Sequence, residues 1–186
     1  MRARKVEKAV ITRAFIIPTG DEIKNGTVLD LDSARVLESL VKLSPEMVVT
    51  RLAPVVDVEA NIFGTMERCL DAGAELIVLI GGSGGGHRFS STLGSDYTHS
   101  AMELWLDEKV SHCIYGKNGH MWSKLVCGTK AETLVINVPG PIREAAATIA
   151  AFAESAREGR DIRAINEAMT RALYAQYPQD KVQHDE

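Results

Sequence analysis

The sequence predicts an α/β protein with a mainly parallel sheet between helical layers. Short apolar runs alternate with helical patterns along most of the 186 residues, which is the signature of βαβ units. One of these runs, Leu76 to Ile80, is apolar at every position, as in a strand covered on both faces. It opens into Gly81-Gly-Ser-Gly-Gly-Gly86, a stretch nearly devoid of side chains at the carboxyl end of a central strand, where open α/β sheets bind ligands.

The elements follow in order. Ala9 to Ile17 is rich in Val, Ile and Phe and reads as the first strand, stopped by Pro18-Thr-Gly-Asp-Glu22. After the turn signal Asn25-Gly26, Asp32 or Ser33 caps a helix with Val36, Leu40 and Leu43 in one stripe, broadened by Leu37 and Val41. Met47 to Val56 is a second strand. A helix from Glu59 buries Ile62, Phe63, Met66, Cys69 and Leu70 and closes at Gly73. Beyond the glycine run, a helix from Tyr97, capped by Ser95 or Asp96, turns Ala101, Leu104 and Trp105 inward. Val110 to Tyr115 and Lys124 to Cys127 flank the turn Lys117-Asn-Gly119 as an antiparallel pair, and Thr133 to Val138 is a buried strand ending at Pro139-Gly-Pro141. Helices over Ile142 to Arg157 and around Ile162, Ile165, Met169 and Ala172 complete the chain. The division expected is a basic arm over 1–8, one domain over 9–177 and a charged, frayed tail over 178–186.

Hydrophobic residues are 45% and charged residues 25%, ordinary for a globular protein. The net charge of −4 excludes a dedicated nucleic-acid binder, which needs clustered Lys and Arg. No apolar run is long enough to span a bilayer, so no membrane is expected. Cys69, Cys113 and Cys127 are odd in number and widely spaced, which suits a reducing cytoplasm better than a disulfide framework. Together with His112 and His120 they lack zinc spacing.

Three strand ends carry loops of one kind: Thr19-Gly-Asp-Glu22, Gly81 to Gly86 with Asp96, and Val138-Pro-Gly-Pro141. In a parallel sheet they emerge on one edge and offer backbone donors for phosphate. Two carboxylates, Asp21 and Asp96, can hold a Mg²⁺ that bridges phosphate oxygens. The alternative for each is a helix cap or an Asx-turn. His87 and Arg88 ride on the glycine loop and could meet a phosphate. The run fails G-x-G-x-x-G at every offset and contains no Gly-Lys-Ser or Gly-Lys-Thr, so neither a dinucleotide fold nor a P-loop is supported. It does match G-x-S-x-G around Ser83, so a serine hydrolase with Asp96 or Asp107 and His112 or His120 competes as a reading.

These residues resemble the molybdopterin-binding family of molybdenum-cofactor biosynthesis, from about Ala9 to Phe152. Ala14-Phe-Ile-Ile-Pro-Thr-Gly-Asp-Glu-Ile23 is similar to its strand and T-G-D-E-L loop, and Asp30-Leu-Asp-Ser33 to its D-x-N/S helix entry. Ile77-Val-Leu-Ile-Gly-Gly-Ser-Gly84 resembles its G-G-T-G or G-G-V-S loop, and Val135-Ile-Asn-Val-Pro-Gly140 its late strand and L-P-G loop. The resemblance spans the MoaB/Mog-like adenylyltransferases, the MoeA-like inserting proteins and the CinA-like competence/damage-inducible domain. It implies a three-layer α/β/α, MogA-like fold with a mainly parallel mixed sheet, frequently a trimer in the smaller members. It further implies a ligand bound at the carboxyl edge by Thr19, Gly20, Gly81, Gly82, Ser83, Gly84, Thr98, Pro139 and Gly140, with Asp21 and Asp96 orienting Mg²⁺ or nucleotide. The implied activity is a transferase reaction in which the phosphate of molybdopterin attacks Mg-ATP. Three departures stand out: Gly85 to Gly94 separate the glycine loop from Asp96, Ser95 stands where Arg is usual, and Pro141-Ile142 follows Pro139-Gly140 where the inserting proteins have Asn-Pro. A binding or regulatory module without catalysis is therefore the other reading.

Overall fold

The structure is a computed structural model and describes residues 11–84 and 96–183. The basic arm over 1–8 and the loop residues His87, Arg88 and Ser95 lie outside the described residues.

In chain order the elements are β1 (Arg13–Pro18), α1 (Asp21–Lys24), α2 (Asp32–Leu43), β2 (Val48–Arg51), α3 (Glu59–Asp71), β3 (Leu76–Ile80) and α4 (Thr98–Trp105). Then come β4 (Glu108–Tyr115), β5 (Met121–Lys130), β6 (Thr133–Val138), α5 (Ile142–Arg157) and α6 (Ile162–Tyr174). One six-stranded sheet has the order β2-β1-β3-β6-β5-β4. The pairs β1/β2, β1/β3 and β3/β6 are parallel, and β5/β6 and β4/β5 are antiparallel.

Strand alternation divides the core between the two faces. Leu76, Val78 and Ile80 join Val36, Leu40, Ile149, Phe152 and Met169, so α2, α5 and α6 cover one face. Ile77 and Leu79 join Ile62, Met66, Met102 and Trp105, so α3 and α4 cover the other. The three-layer α/β/α arrangement follows. Because β1 sends its connection to the first face through α2 and its neighbour β3 sends its own to the second through α4, a crevice opens beyond their carboxyl ends.

Several local expectations are corrected. Leu104 is 70% exposed, because the inward stripe of α4 runs through Thr98, Ala101, Met102 and Trp105. Leu37 and Val41 lie on the exposed flank of α2. Its first turn is held not by a side chain of Asp32 or Ser33 but by Asp30, whose carboxylate accepts from the Ser33 amide at 3.0 Å and from the Ser33 hydroxyl. The hairpin strands run longer than their apolar cores suggest. The part of the charged tail that is described, up to Gln183, is docked: Val182 is fully buried and bridges Gly116, with Gln183 N donating to Tyr115 O at 2.8 Å. The single Val in this polar stretch is what seats it.

Gly64 sits mid-way along α3, and a Cβ built there would meet only the Arg68 Nη1 at 3.7 Å. Nothing in the fold requires glycine there. Gly64→Ala is therefore expected to raise stability by about 1 kcal/mol, read as a higher urea midpoint at unchanged slope.

Candidate functional site

The three loops named from sequence meet at the carboxyl edge. The Thr19 amide donates to Ile80 O at 2.8 Å and the Gly81 amide to Val138 O at 3.0 Å, so the ends of β1, β3 and β6 are tied together past the regular ladder. Gly81 and Gly82 adopt φ of 93° and 57°. A Cβ on Gly81 would lie 2.7 Å from Thr19 O, and one on Gly82 would strike the Thr98 side chain, with its Cβ at 2.9 Å. Both positions thus need glycine for backbone and for space. Thr19 and Thr98, both buried, share a hydroxyl hydrogen bond of 2.8 Å beneath the loop. Pro139 is buried while Gly140 is exposed, its Cβ position 3.8 Å from the Gly81 Cα. Of the residues expected to line the site, these therefore converge.

Ser83 faces away from any triad. It is buried, its hydroxyl accepts from Ser123 at 3.1 Å, and its carbonyl accepts from the Lys124 amide at 2.7 Å, which fastens the loop to β5. His112 bonds Asn166, and Asp107 pairs with Lys130 at 2.8 Å. Ser83, Asp107 and His112 are thus committed to other partners.

The carboxylates are more numerous than the sequence suggested. Asp96 lies against the loop, with its Oδ2 2.6 Å from where a Gly84 Cβ would stand. Asp21, exposed in the first turn of α1, accepts from the Asp57 amide at 3.2 Å. Asp57 is the addition. It follows the bridge between Val55 and Thr19, and its Oδ1 lies 3.2 Å from the Gly82 Cβ position. That oxygen is buried without a hydrogen-bond partner. Burial, then the charges of Asp96, Glu22 and Asp21, push the Asp57 carboxyl up to about 7. The only signal for it in sequence is an acid set between valines, where a strand passes into a helix.

His99, the second residue of α4, reaches Gly84 O with Nε2 at 3.3 Å, while its Nδ1 is buried and unpartnered. Burial and the nearby Lys124 hold its pKa down, so the ring is neutral at pH 7 and donates from Nε2. Lys124 itself pairs with Glu103 at 2.7 Å.

Among the described residues, no three His, Cys, Asp or Glu side chains form a group that could hold a metal by themselves. The acids nonetheless suit a cation that brings its own phosphate ligands: Mg²⁺ takes one or two carboxylates and completes its shell with phosphate oxygens and water. The orphaned Asp57 oxygen among other acids is the feature that fits.

The family model described as "Probable molybdopterin binding domain" matches residues 15–158. The chain belongs to the molybdopterin-binding domain family. Among solved structures it is similar to the molybdopterin biosynthesis enzyme MoaB of Thermus thermophilus, with 21% identity and a TM-score of 0.59 over 88% of this chain and 98% of that one. It is also similar to the CinA protein of Thermoplasma acidophilum, with 15% identity and a TM-score of 0.61 over 80% and 99%. The tungsten cofactor synthesizing protein MoaB of Pyrococcus furiosus aligns at 13% identity with a TM-score of 0.54 over 89% and 94%. At these identities the likeness speaks for the fold. No protein of curated function matches the sequence. No helix among the described residues is long and apolar enough to cross a membrane.

For this molybdopterin-binding domain the raised Asp57 carboxyl has a signed consequence. The folded state holds the proton more tightly than the unfolded chain, so stability falls as pH rises from about 4 to 7 and is flat above. Asp57→Asn removes that penalty. Urea unfolding is expected to find the variant more stable than wild type by about 2 kcal/mol at pH 8, with the gap closing near pH 4. An equal gap at both values excludes the electrostatic account.

Proposed function

We propose that this chain binds molybdopterin at the carboxyl edge and transfers an adenylyl group to it from Mg-ATP. The observation that carries the reading is Asp57: a buried, unpartnered carboxylate oxygen beside a glycine loop, in a ring of acids with Asp21, Glu22 and Asp96. Such a ring repels bare phosphates and accepts them once a divalent cation is present. Asp57 and Asp96 would hold Mg²⁺, which supplies neutralisation of phosphate charge.

The remaining work belongs to the chain. A molybdopterin phosphate oxygen attacks the α-phosphorus of ATP, a phosphoanhydride bond forms, and pyrophosphate leaves with the electron pair of the broken P–O bond. The nucleophile is already anionic, so no base is needed and positioning dominates. Gly82 and Gly84 present backbone without side chains, Thr19 and Thr98 support the loop from below, and Asp21 fixes the Asp57 segment through its amide. Neutral His99 braces Gly84.

The test is pyrophosphate release and thermal shift with Mg-ATP, molybdopterin and both. Ligand-induced stabilisation with turnover is expected, and Asp57→Asn and Asp96→Asn should each lower turnover roughly 100-fold or more. Absence of any shift removes the reading. Stabilisation without pyrophosphate release selects instead the binding module without catalysis, which the Ser95 and Pro141-Ile142 departures favour.

A homo-oligomer, with a trimer favoured, belongs to the same proposal. Its support is the exposure of Leu29 at 76%, Leu31 at 57% and Val48 at 63%, the last on edge strand β2. Light scattering should give three times the chain mass; a monomer at micromolar concentration removes this part.

A further inference from the structure

A second cavity lies outside the acidic site, between the segment that follows β2 and the outer surface of α3. Its volume is about 570 Å³, within the range of small-molecule pockets. Leu52, Pro54, Val55 and Ala60 give it apolar walls, and Lys24 and Arg68 supply two cations. Neither cation forms an ion pair with a described carboxylate.

Arg68 is positioned rather than neutralised. Its Nη2 donates to the Thr65 hydroxyl at 2.8 Å, and that hydroxyl, on a residue only 3% exposed, donates to Asn61 O at 2.7 Å. A guanidinium fork held this way keeps its other donors for an anion. Gly64 lines the same cavity, one turn before Arg68. A Cβ at Gly64 would stand 3.7 Å from the Arg68 Nη1, an ordinary contact, so the fold does not require glycine there and the helix surface beside the guanidinium carries no side chain. A cavity with apolar walls, a tethered arginine without an ion-pair partner among the described residues, a lysine and a helix glycine that the fold does not require all point to one chemistry.

We propose that this groove is a second ligand site, which takes a phosphate monoester with a flat apolar body, the phosphate at Arg68 and Lys24 and the body over Gly64 and Ala60. The site stands apart from the proposed transfer reaction and does not depend on it. It is nevertheless joined to that region by Val55, whose amide donates to Pro18 O at 2.9 Å and whose carbonyl accepts from the Gly20 amide at 3.0 Å. An occupant resting on Val55 therefore bears on the loop that carries Asp21.

The probe is 1-naphthyl phosphate, followed by amide chemical shifts of the full chain, with 1-naphthoate and neutral 1-naphthol as comparators. Saturable shifts are expected at Val55, Ala60, Gly64 and Arg68, with naphthoate weaker and naphthol at least tenfold weaker than the phosphate. Arg68→Gln should weaken the phosphate at least tenfold, and Gly64→Leu, helix-compatible and checked by its melting transition, should abolish binding. Slower hydrogen exchange at the Gly20 amide is expected in the complex. Shifts confined to Gly81–Gly84, equal binding of naphthol and the phosphate, or undiminished binding by Arg68→Gln overturns the proposal. The arginine variant decides alone if the leucine variant fails to fold.

Discussion

Everything at the carboxyl edge depends on two hydrogen bonds that continue the sheet past its last ladder rung, Thr19 N to Ile80 O and Gly81 N to Val138 O. They stop the three parallel strands from splaying as they end. The chain leaving β3 must then turn within the width of one residue, against Thr19 on one side and Thr98 on the other. A side chain at Gly81 or Gly82 has nowhere to go, and the backbone angles there fall where L-residues are strained. The Gly81 amide, expected from sequence as a phosphate donor, is spent on Val138 O, and this tie and the missing side chains are thus two results of one constraint.

The same crowding builds the electrostatics. Once the Val55 carbonyl accepts the Gly20 amide, the following Asp57 has to lie beside the glycine loop, and Asp21 takes its amide. Four acids are thereby gathered where a sheet buries part of their surroundings, and the charge of one is suppressed by the others and by burial. Asp32 shows the milder version of this at the head of α2. Burial and Asp30 push it up to about 6. Asp30 goes the other way: although burial opposes its charge, hydrogen bonds from Ser33 and Arg51 hold it below the ordinary carboxylate range. Hydrogen-bond donors favour the charged carboxylate, and burial without them disfavours it.

How far the sequence revealed this depended on what kind of residue carried each feature. Apolar runs marked each of the six strands, though the second, expected over Met47 to Val56, covers only Val48–Arg51; periodicity located the long helices, and α5 was legible residue for residue, because Ala145, Ile149 and Phe152 repeat along one face. It misplaced Leu104, since an eight-residue helix has too few turns to fix its phase. The glycine loop was legible because composition alone marks it. Asp57 was not: its importance comes from a parallel bridge between Val55 and Thr19, a pairing across 36 positions that no local pattern encodes. Ser83 was misleading for a related reason. G-x-S-x-G describes a chain path, but the partner that decides its chemistry here is Ser123, which only the approach of β5 supplies.

The stretch from Leu52 to Asp57 therefore has two faces of opposite electrical character. Asp57 at its end joins an acidic ring, while the preceding residues form the wall of a groove flanked by Lys24 and Arg68. At a net charge of −4 the chain as a whole does little to draw anions, so local cation placement decides where an anionic ligand first settles. On the proposed readings the groove receives such a ligand without a metal, whereas the acidic ring takes one together with a cation. Because Val55 is hydrogen-bonded on both sides to the β1 end, displacement of this segment cannot stay local: it must move Gly20, and with it the first turn of α1 that carries Asp21. Linkage is reciprocal in free energy, so whatever factor a groove ligand applies to cation binding at the acids, the cation applies to the groove.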